Sequence, residues 1–260
     1  WHLTTSEEGA GVLRLILRLK SERPLTLPMN YQQIIQGFLY RVMEDREFGY
    51  FLHEEGYHHG KRVFKLFTYS RLSGDFRTDS AKKTITFHGE IRLQIGSVIP
   101  KFIQEIGKSL LKAQTLQWNG QNVEIVEIGY REPEIHDSVC KIRMISPITV
   151  YSTYESEEGK KTTQYFDPDD PAFAHLIREN LRKKYEAYYG RTMDGTFAIR
   201  ALQVKPSDKV ITRFKDFLIS AWNGIYEITG TPEILRFAYG TGLGGRNSQG
   251  FGMFDIIATH

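Results

Sequence analysis

Thirteen residues in the first half of the chain, Lys83-Thr84-Ile85-Thr86-Phe87-His88-Gly89-Glu90-Ile91-Arg92-Leu93-Gln94-Ile95, decide the fold class. Ile85, Phe87, Ile91, Leu93 and Ile95 share one parity, while Thr84, Thr86, His88, Glu90, Arg92 and Gln94 share the other. Such alternation marks a strand with one apolar and one polar face, because successive side chains leave a pleated backbone on opposite sides. Helical periods flank it. Upstream, Tyr31, Ile34, Ile35, Phe38, Leu39, Val42 and Met43 recur at helical spacing, which predicts an amphipathic helix from Tyr31 to Glu44 with Asn30 as its N-cap. Before that helix, Pro24 and Pro28 mark a loop and the aliphatic alternation of Val12 to Leu19 reads as a strand. Lys65-Leu66-Phe67-Thr68-Tyr69-Ser70 alternates as a further strand. Downstream, Pro100 opens a helix with Phe102, Ile103, Ile106, Leu110 and Leu111 on one face, and Gln117 to Tyr130 adds a final strand or hairpin. The order βαββαβ is the ferredoxin-like motif.

The second half runs through the same plan. Arg131-Glu132-Pro133 to Asp137 is polar and interrupts the pattern, so the domain boundary is expected there. The expected units are residues 12–132 and 138–260; residues 1–11 lack an initiator Met and any periodicity and read as a leader or cloning remnant. Cys140 to Tyr151 is expected as a strand, and Glu155 to Lys161 as the charged turn of a hairpin that returns over Thr162 to Phe166. Pro171 to Tyr189 reads as a helix with Phe173, Leu176, Ile177, Leu181, Tyr185 and Tyr188 inward, closed by Gly190. Phe197 to Val204 and Ile211 to Ile228 supply strands, and Thr231-Pro232-Glu233 opens a short helix through Phe237. Phe251 to Ile257 is the last strand. The expected fold class is therefore α+β: two tandem ferredoxin-like (RRM-like) domains, each βαββαβ, with a C-terminal glycine-rich loop.

With 260 residues, 25% charged and 40% hydrophobic, the chain can fill one large or two small cores. A net charge of +3 permits a nucleic-acid partner without demanding one. The single cysteine, Cys140, excludes an internal disulfide, and with the lack of a secretory signal it predicts a cytoplasmic protein. No apolar run reaches the roughly 18 residues of a membrane span, so no membrane partner is expected.

Function concentrates in two stretches. Gly240-Thr241-Gly242-Leu243-Gly244-Gly245-Arg246-Asn247-Ser248-Gln249-Gly250-Phe251-Gly252 is glycine at six of thirteen positions, which frees the backbone for positive φ and for close approach to a ligand. Arg246, Asn247 and Ser248 at its centre suit an anionic phosphodiester, although glycines gather equally at strand bends and helix ends. The run lacks G-x-x-x-x-G-K-[ST] and opens no long helix, which argues against a mononucleotide. Gly242, Gly244, Arg246, Asn247, Ser248, Gly250 and Gly252 are the candidates for binding such a phosphodiester. Arg182 and Lys183 join them from a helix face where Arg178, Arg182, Lys183 and Lys184 form either a phosphate contact or a solvated surface.

The second stretch, Phe51 to Lys61, carries His53, His58 and His59 at a short helix end and loop. Histidine exchanges its proton near neutral pH and so suits acid/base chemistry. A metal site of His53, His58, His59 and Glu54 is the alternative, without the H-E-x-x-H spacing that aligns ligands on one helical face. Tyr40 falls about 160° from the centre of its helix's apolar stripe and is expected to face away from the core. Gln33, Gln36 and Gly37 share that face, where glycine lets another element or an RNA strand approach.

The motif G-x-G-x-G-x-x-N-S-x-G-F-G, from Gly240 to Gly252, resembles the closing signature of the CRISPR-associated endoribonucleases that cut repeat RNA, within the RAMP superfamily. Leu27-Pro28-x-Asn30-Tyr31, the helix ending in Tyr40, Leu52-His53-Glu54, Lys65 to Ser70, and Ser146-Pro147-Ile148-Thr149-Val150 follow in the order of that family, so the resemblance spans about Val12 to Ile257. It implies the duplicated ferredoxin-like fold and a cleavage site of Tyr40, His53 and Lys65, with His58, His59 and Lys61 as further candidates in the same stretch. It also implies a metal-independent, cofactor-free endoribonuclease that cuts CRISPR precursor RNA within its repeats. The RNA's own 2′-hydroxyl would attack the scissile phosphate and leave a cyclic phosphate and a 5′-hydroxyl. His53 and Tyr40 would move the protons, in either assignment, and Lys65 would offset the phosphorane charge. For Tyr40 to be the base, a cation such as Lys65 must lower its pKa. Expected partners are the repeat RNA, as precursor and as processed guide, CRISPR effector subunits, and a second copy of the chain. Two other readings stay open: a non-catalytic RAMP subunit that holds guide RNA in an effector complex, and a metal-dependent hydrolase.

Overall fold

The computed structural model describes residues 12–155, 159, 161–214 and 217–259, without the side chains of Phe217 and Thr259. The expected leader, and residues 156–158 and 160 of the charged turn, lie outside the described residues.

The first half comprises β1 (Leu13–Lys20), β2 (Leu25–Pro28), α1 (Gln32–Val42) and a short α2 (Arg46–Tyr50), which runs into a π-helical turn over Phe51–Glu55. It continues with β3 (Tyr57–His59), β4 (Arg62–Phe64), β5 (Phe67–Tyr69), β6 (Ser73–Asp79), β7 (Thr84–Ser97), α3 (Pro100–Ala113), β8 (Thr115–Trp118) and β9 (Gln121–Arg131). β1 lies between β9 and β7, and β5 and β6 pair with β7, all antiparallel. That is the fourth-first-third-second strand order of a ferredoxin-like sheet. Across β1 and β7 the register sets Leu15 against Ile95, Leu17 against Leu93 and Leu19 against Ile91, and all six side chains are buried. Each fully buried aliphatic of this kind contributes about 1.5–3 kcal/mol.

In the second half come β10 (Val139–Met144), β11 (Tyr151–Glu155), β12 (Lys161–Tyr165), α4 (Pro171–Tyr189), β13 (Ala198–Gln203), β14 (Lys209–Phe214), β15 (Phe217–Trp222), β16 (Ile225–Thr229), α5 (Pro232–Thr241) and β17 (Phe254–Thr259). The sheet order β13-β16-β10-β17 repeats the first topology, and the hairpins β11–β12 and β14–β15 are inserted into it. The fold is α+β with two ferredoxin-like units in tandem.

Several local expectations are corrected. The strand expected over Cys140 to Tyr151 stops at Met144: the Ile145 and Ser146 amides both donate to the Met253 carbonyl, Pro147 has no N–H to resume the ladder, and Ile148 bridges to Trp222 instead. α5 runs on to Thr241, so Gly240 and Thr241 are helical, and the loop proper starts at Gly242. Asn30 does not cap α1: Tyr31 holds that position with no side-chain bond. Leu25–Pro28 and Ser73–Asp79 are strands, the latter exposed along nearly its whole length and so without an alternating signal.

The two halves share one core. Arg14 of β1, fully buried, pairs with Asp255 of β17 at 2.6 Å and donates to the carbonyl oxygens of Tyr239 (3.2 Å) and Phe254 (2.9 Å). Thr68 donates to the Phe251 carbonyl at 3.0 Å, and the Arg71 amide to the Ile145 carbonyl at 3.0 Å. No described helix is long and apolar enough to cross a membrane.

Candidate active site

Tyr40, near the end of α1, and His53, in the π-helical turn, meet edge to face with ring centroids 4.7 Å apart. Gly56 closes that turn at φ +70°, where a Cβ would lie 2.7 Å from the Phe64 carbonyl oxygen, so the β3–β4 hairpin folds tightly back and delivers Lys65 beside the turn. Lys65 Nζ donates to the His53 carbonyl oxygen at 2.7 Å. The structure thus brings Tyr40, His53 and Lys65 together. His53 Nδ1 also lies 2.5 Å from Glu54 Oε1, with 59% of the imidazole side chain exposed.

The electrostatics correct one expectation. Tyr40 does not turn away from the core: it is partly buried, with Phe67 5.8 Å away on the side opposite its own helix's stripe. Burial foremost, then the Glu54 carboxylate, pushes its pKa up, so at neutral pH it is a phenol that donates and not a phenolate. Lys65 is pushed the other way, lowered by burial and partly held up by Glu54.

The neighbouring candidates go elsewhere. His58 is exposed on β3, Lys61 is exposed at the hairpin turn, and His59 Nε2 bonds Glu186 of α4 at 2.8 Å. Among the described residues no group of three or more His, Cys, Asp or Glu is arranged to hold a metal ion.

A cleft of about 510 Å³ opens next to this cluster, between the β4–β5 edge, β11, α4 and the glycine loop. Lys65, Tyr151, Lys183, Arg246, Asn247 and Ser248 line it. The loop's glycines mainly admit protein: a Cβ on Gly252 would lie 1.9 Å from the Leu243 oxygen, on Gly244 2.5 Å from the Thr149 oxygen, on Gly250 2.6 Å from the Tyr69 ring, and on Gly242 2.8 Å from Asn247 Nδ2. Asn247 is buried, and its Nδ2 donates to the Leu243 (3.0 Å) and Phe251 (3.1 Å) carbonyls across the loop's neck. Arg246 is held over the Tyr151 ring at 5.0 Å and reaches Gln249 Oε1 at 3.2 Å. Arg182 bonds Glu179 and Glu186 on its own helix and is not among the cleft residues, whereas Lys183 is.

Three participants have roles that the sequence reading did not give them. Glu54 acts on all three cluster members, and only its adjacency to His53 hinted at that. Gln36 Nε2 donates to the Ser248 carbonyl at 2.8 Å and so ties the loop to α1 one turn before Tyr40. Lys184, read with its basic neighbours as either a phosphate contact or a solvated surface, is 3% exposed; it follows Ile177 by seven residues and Leu181 by three, which puts it on the buried stripe.

Comparison with known proteins supplies a third line. Residues 130–256 match the family model described as CRISPR associated protein Cas6, C-terminal. The protein of Methanocaldococcus jannaschii named CRISPR-associated endoribonuclease Cas6 1 is 28% identical over 244 residues, 93% of this chain and 91% of that protein. The Pyrococcus furiosus protein named CRISPR-associated endoribonuclease Cas6 is 26% identical over 255 residues, 94% of this chain and 90% of that one. A solved structure of a Cas6-related gene product from Pyrococcus furiosus has the same fold, with a TM-score of 0.83 at 21% identity over 96% of this chain and 100% of that one.

Proposed function

We propose that the chain is a CRISPR repeat-processing endoribonuclease of the Cas6 type, within the RAMP superfamily, and that it cuts CRISPR precursor RNA inside the repeats through the RNA's own 2′-hydroxyl. The observation that carries the reading is the meeting of Tyr40 and His53 with Lys65, the member of the three that lines a cleft to which both halves contribute. The reaction needs a base for the 2′-hydroxyl, an acid for the departing 5′-oxygen and a cation for the phosphorane. With Nδ1 turned to Glu54, His53 has Nε2 left to take the nucleophile's proton. Tyr40, held as a phenol, is the acid that gives its proton to the departing 5′-oxygen and regains one once the product leaves, and the Lys65 ammonium offsets the charge on the phosphate. Products are a cyclic phosphate and a 5′-hydroxyl, and no metal-bound water is required.

In this reading residues 12–132 carry the reaction, and residues 138–260 grip the RNA backbone through Lys183, Arg246 and Ser248 with the loop that holds them. The precursor, the processed guide, the effector subunits that receive it and a second copy of the chain are its partners, in the cytoplasm.

The test is cleavage of a repeat RNA in excess EDTA, beside the same RNA with a single 2′-deoxy at the nucleotide before the cut. Native RNA should be cut and deoxy RNA bound but intact. Alanine at Tyr40, His53 or Lys65 should slow single-turnover cleavage by about 10²- to 10⁴-fold each while RNA is still held. Loss of cutting in EDTA would make the reaction metal-dependent; binding of both RNAs without cutting would make the protein a carrier.

A further inference from the structure

The middle of α4 holds a cation where its apolar stripe calls for an aliphatic side chain. Lys184 is flanked on that stripe by Ile177, Leu181 and Tyr185, all buried, and among the described residues no carboxylate lies within ion-pair distance of it. A buried ammonium without a counter-charge is disfavoured relative to a leucine or methionine of similar size. What it meets instead is the glycine loop. Nζ donates to the carbonyl oxygens of Gly242 at 2.9 Å and Gly244 at 3.2 Å. Those carbonyls sit in the turn where the chain leaves α5, at φ +76° and +67°. The same turn is held on its far side by two backbone bonds, Leu243 N–H to the Gly252 oxygen and Gly245 N–H to the Thr149 oxygen, each 2.9 Å. Burial lowers the ammonium's pKa to about 7, the cost of holding this group inside.

We propose that Lys184 is a positioning residue: its ammonium pins the Gly242 to Gly244 turn against α4 and thereby sets the shape in which Arg246 and Ser248 meet RNA. The inference rests on the function proposed above for the cleft. It makes α4 the template for the loop: Lys184 lies in the cleft wall, but its Nζ is turned to the Gly242 and Gly244 carbonyls, so it acts through the loop.

Amide hydrogen exchange over residues 242–252, RNA affinity, and the single-turnover cleavage rate at saturating RNA test it in wild type, Lys184→Met, Lys184→Gln and Ile177→Val. Lys184→Met removes the donor to the buried Gly244 carbonyl and leaves the Gly242 carbonyl only the Thr241 hydroxyl at 3.4 Å, so loop exchange should quicken and RNA affinity fall by about tenfold or more, with the saturating rate nearly unchanged. Lys184→Gln, with donors on a shorter side chain, should fall between wild type and Lys184→Met. Ile177→Val destabilises the same helix without touching the loop and should leave loop exchange and affinity as they are.

Unchanged loop exchange in Lys184→Met overturns the proposal, as does equal loosening in Ile177→Val or a saturating rate that falls as far as the affinity. If Lys184→Met does not fold, the comparison is made on Lys184→Gln, and a loop as protected as wild type overturns the proposal there. A wild-type protein that holds no repeat RNA sinks the function on which the inference rests, while the exchange measurement still decides whether Lys184 pins the loop.

Discussion

A tyrosine kept protonated by burial serves as a hydrogen-bond donor, and Tyr40 is such a residue. Its partner in controlling charge is Glu54, which raises the pKa of Lys65 against the lowering caused by burial. Removing the carboxylate leaves burial unopposed, so Lys65 loses its proton at still lower pH. In Glu54→Gln the alkaline fall of the single-turnover rate should therefore begin at lower pH than in wild type, with the smallest difference in acid, where Lys65 is charged in both. Tyr40→Phe should instead lower the rate at every pH below about 9 by a constant factor, because no phenolate forms there to be lost. Coincident alkaline limbs in Glu54→Gln and wild type would remove Glu54 from the site, and a rate limb in wild type absent from Tyr40→Phe would restore the phenolate. At this scale the order of motifs made Tyr40, His53 and Lys65 legible, but their chemistry was not. An angle around α1 describes α1 alone, and the walls that bury Tyr40, His53 and Phe67, arrive from the π-helical turn and from β5.

Elements were legible where one face is buried and illegible where neither is. β7 and α4 follow their apolar periods, whereas β6 is exposed on both faces and offers the sequence no alternation to read. The β3–β4 hairpin hid in the histidine stretch for the same reason, since all its described side chains are exposed or only partly buried. The glycines look alike in sequence and differ in space. Gly252, at φ +77° with a hypothetical Cβ 1.9 Å from the Leu243 oxygen, has no room for a side chain. Gly37, inside α1, has nothing within 4 Å of its Cβ position. Gly252→Ala should lower stability by at least about 1–3 kcal/mol from backbone strain alone, before the clash is counted. Gly37→Ala should raise it by about 0.5–1 kcal/mol through helix propensity. Urea unfolding of both variants checks the signs. Gly37 follows Gln36, which holds the loop, so RNA laid along α1 would bind Gly37→Ala more weakly although the protein is more stable.

The cleft exists only because two sheets are held at a fixed separation. Lys65 comes from one half and Arg246 from the other, so whatever joins the halves also sets the width that RNA meets. Duplication of the fold was legible from the repeated order of strands and helices, but the join was not, because Arg14 shares its strand parity with Arg18 and Lys20 and so has the look of an outward-facing residue. Arg14 is instead fully buried, stacked 3.5 Å from the Tyr239 ring centroid and bonded to Asp255 and to two backbone carbonyls of the second half. Replacing it by methionine keeps much of the volume but leaves Asp255 and those carbonyls without their cation. Breaking a fully buried pair by removing one partner costs about 3–5 kcal/mol, and with 27% of the Asp255 side chain exposed and Gln94 Nε2 3.3 Å from it the cost here lies below that range. Arg14→Met should therefore unfold at lower urea. Because a single core runs through both halves, it should still unfold in one transition by fluorescence and by circular dichroism alike. Arg14 lies outside the Tyr40, His53 and Lys65 cluster, so the loss in function should fall on RNA affinity before it falls on the saturating cleavage rate. Two separated transitions would mean that the halves are independent domains tied by one ion pair, and an unchanged affinity would mean that the cleft keeps its width without it.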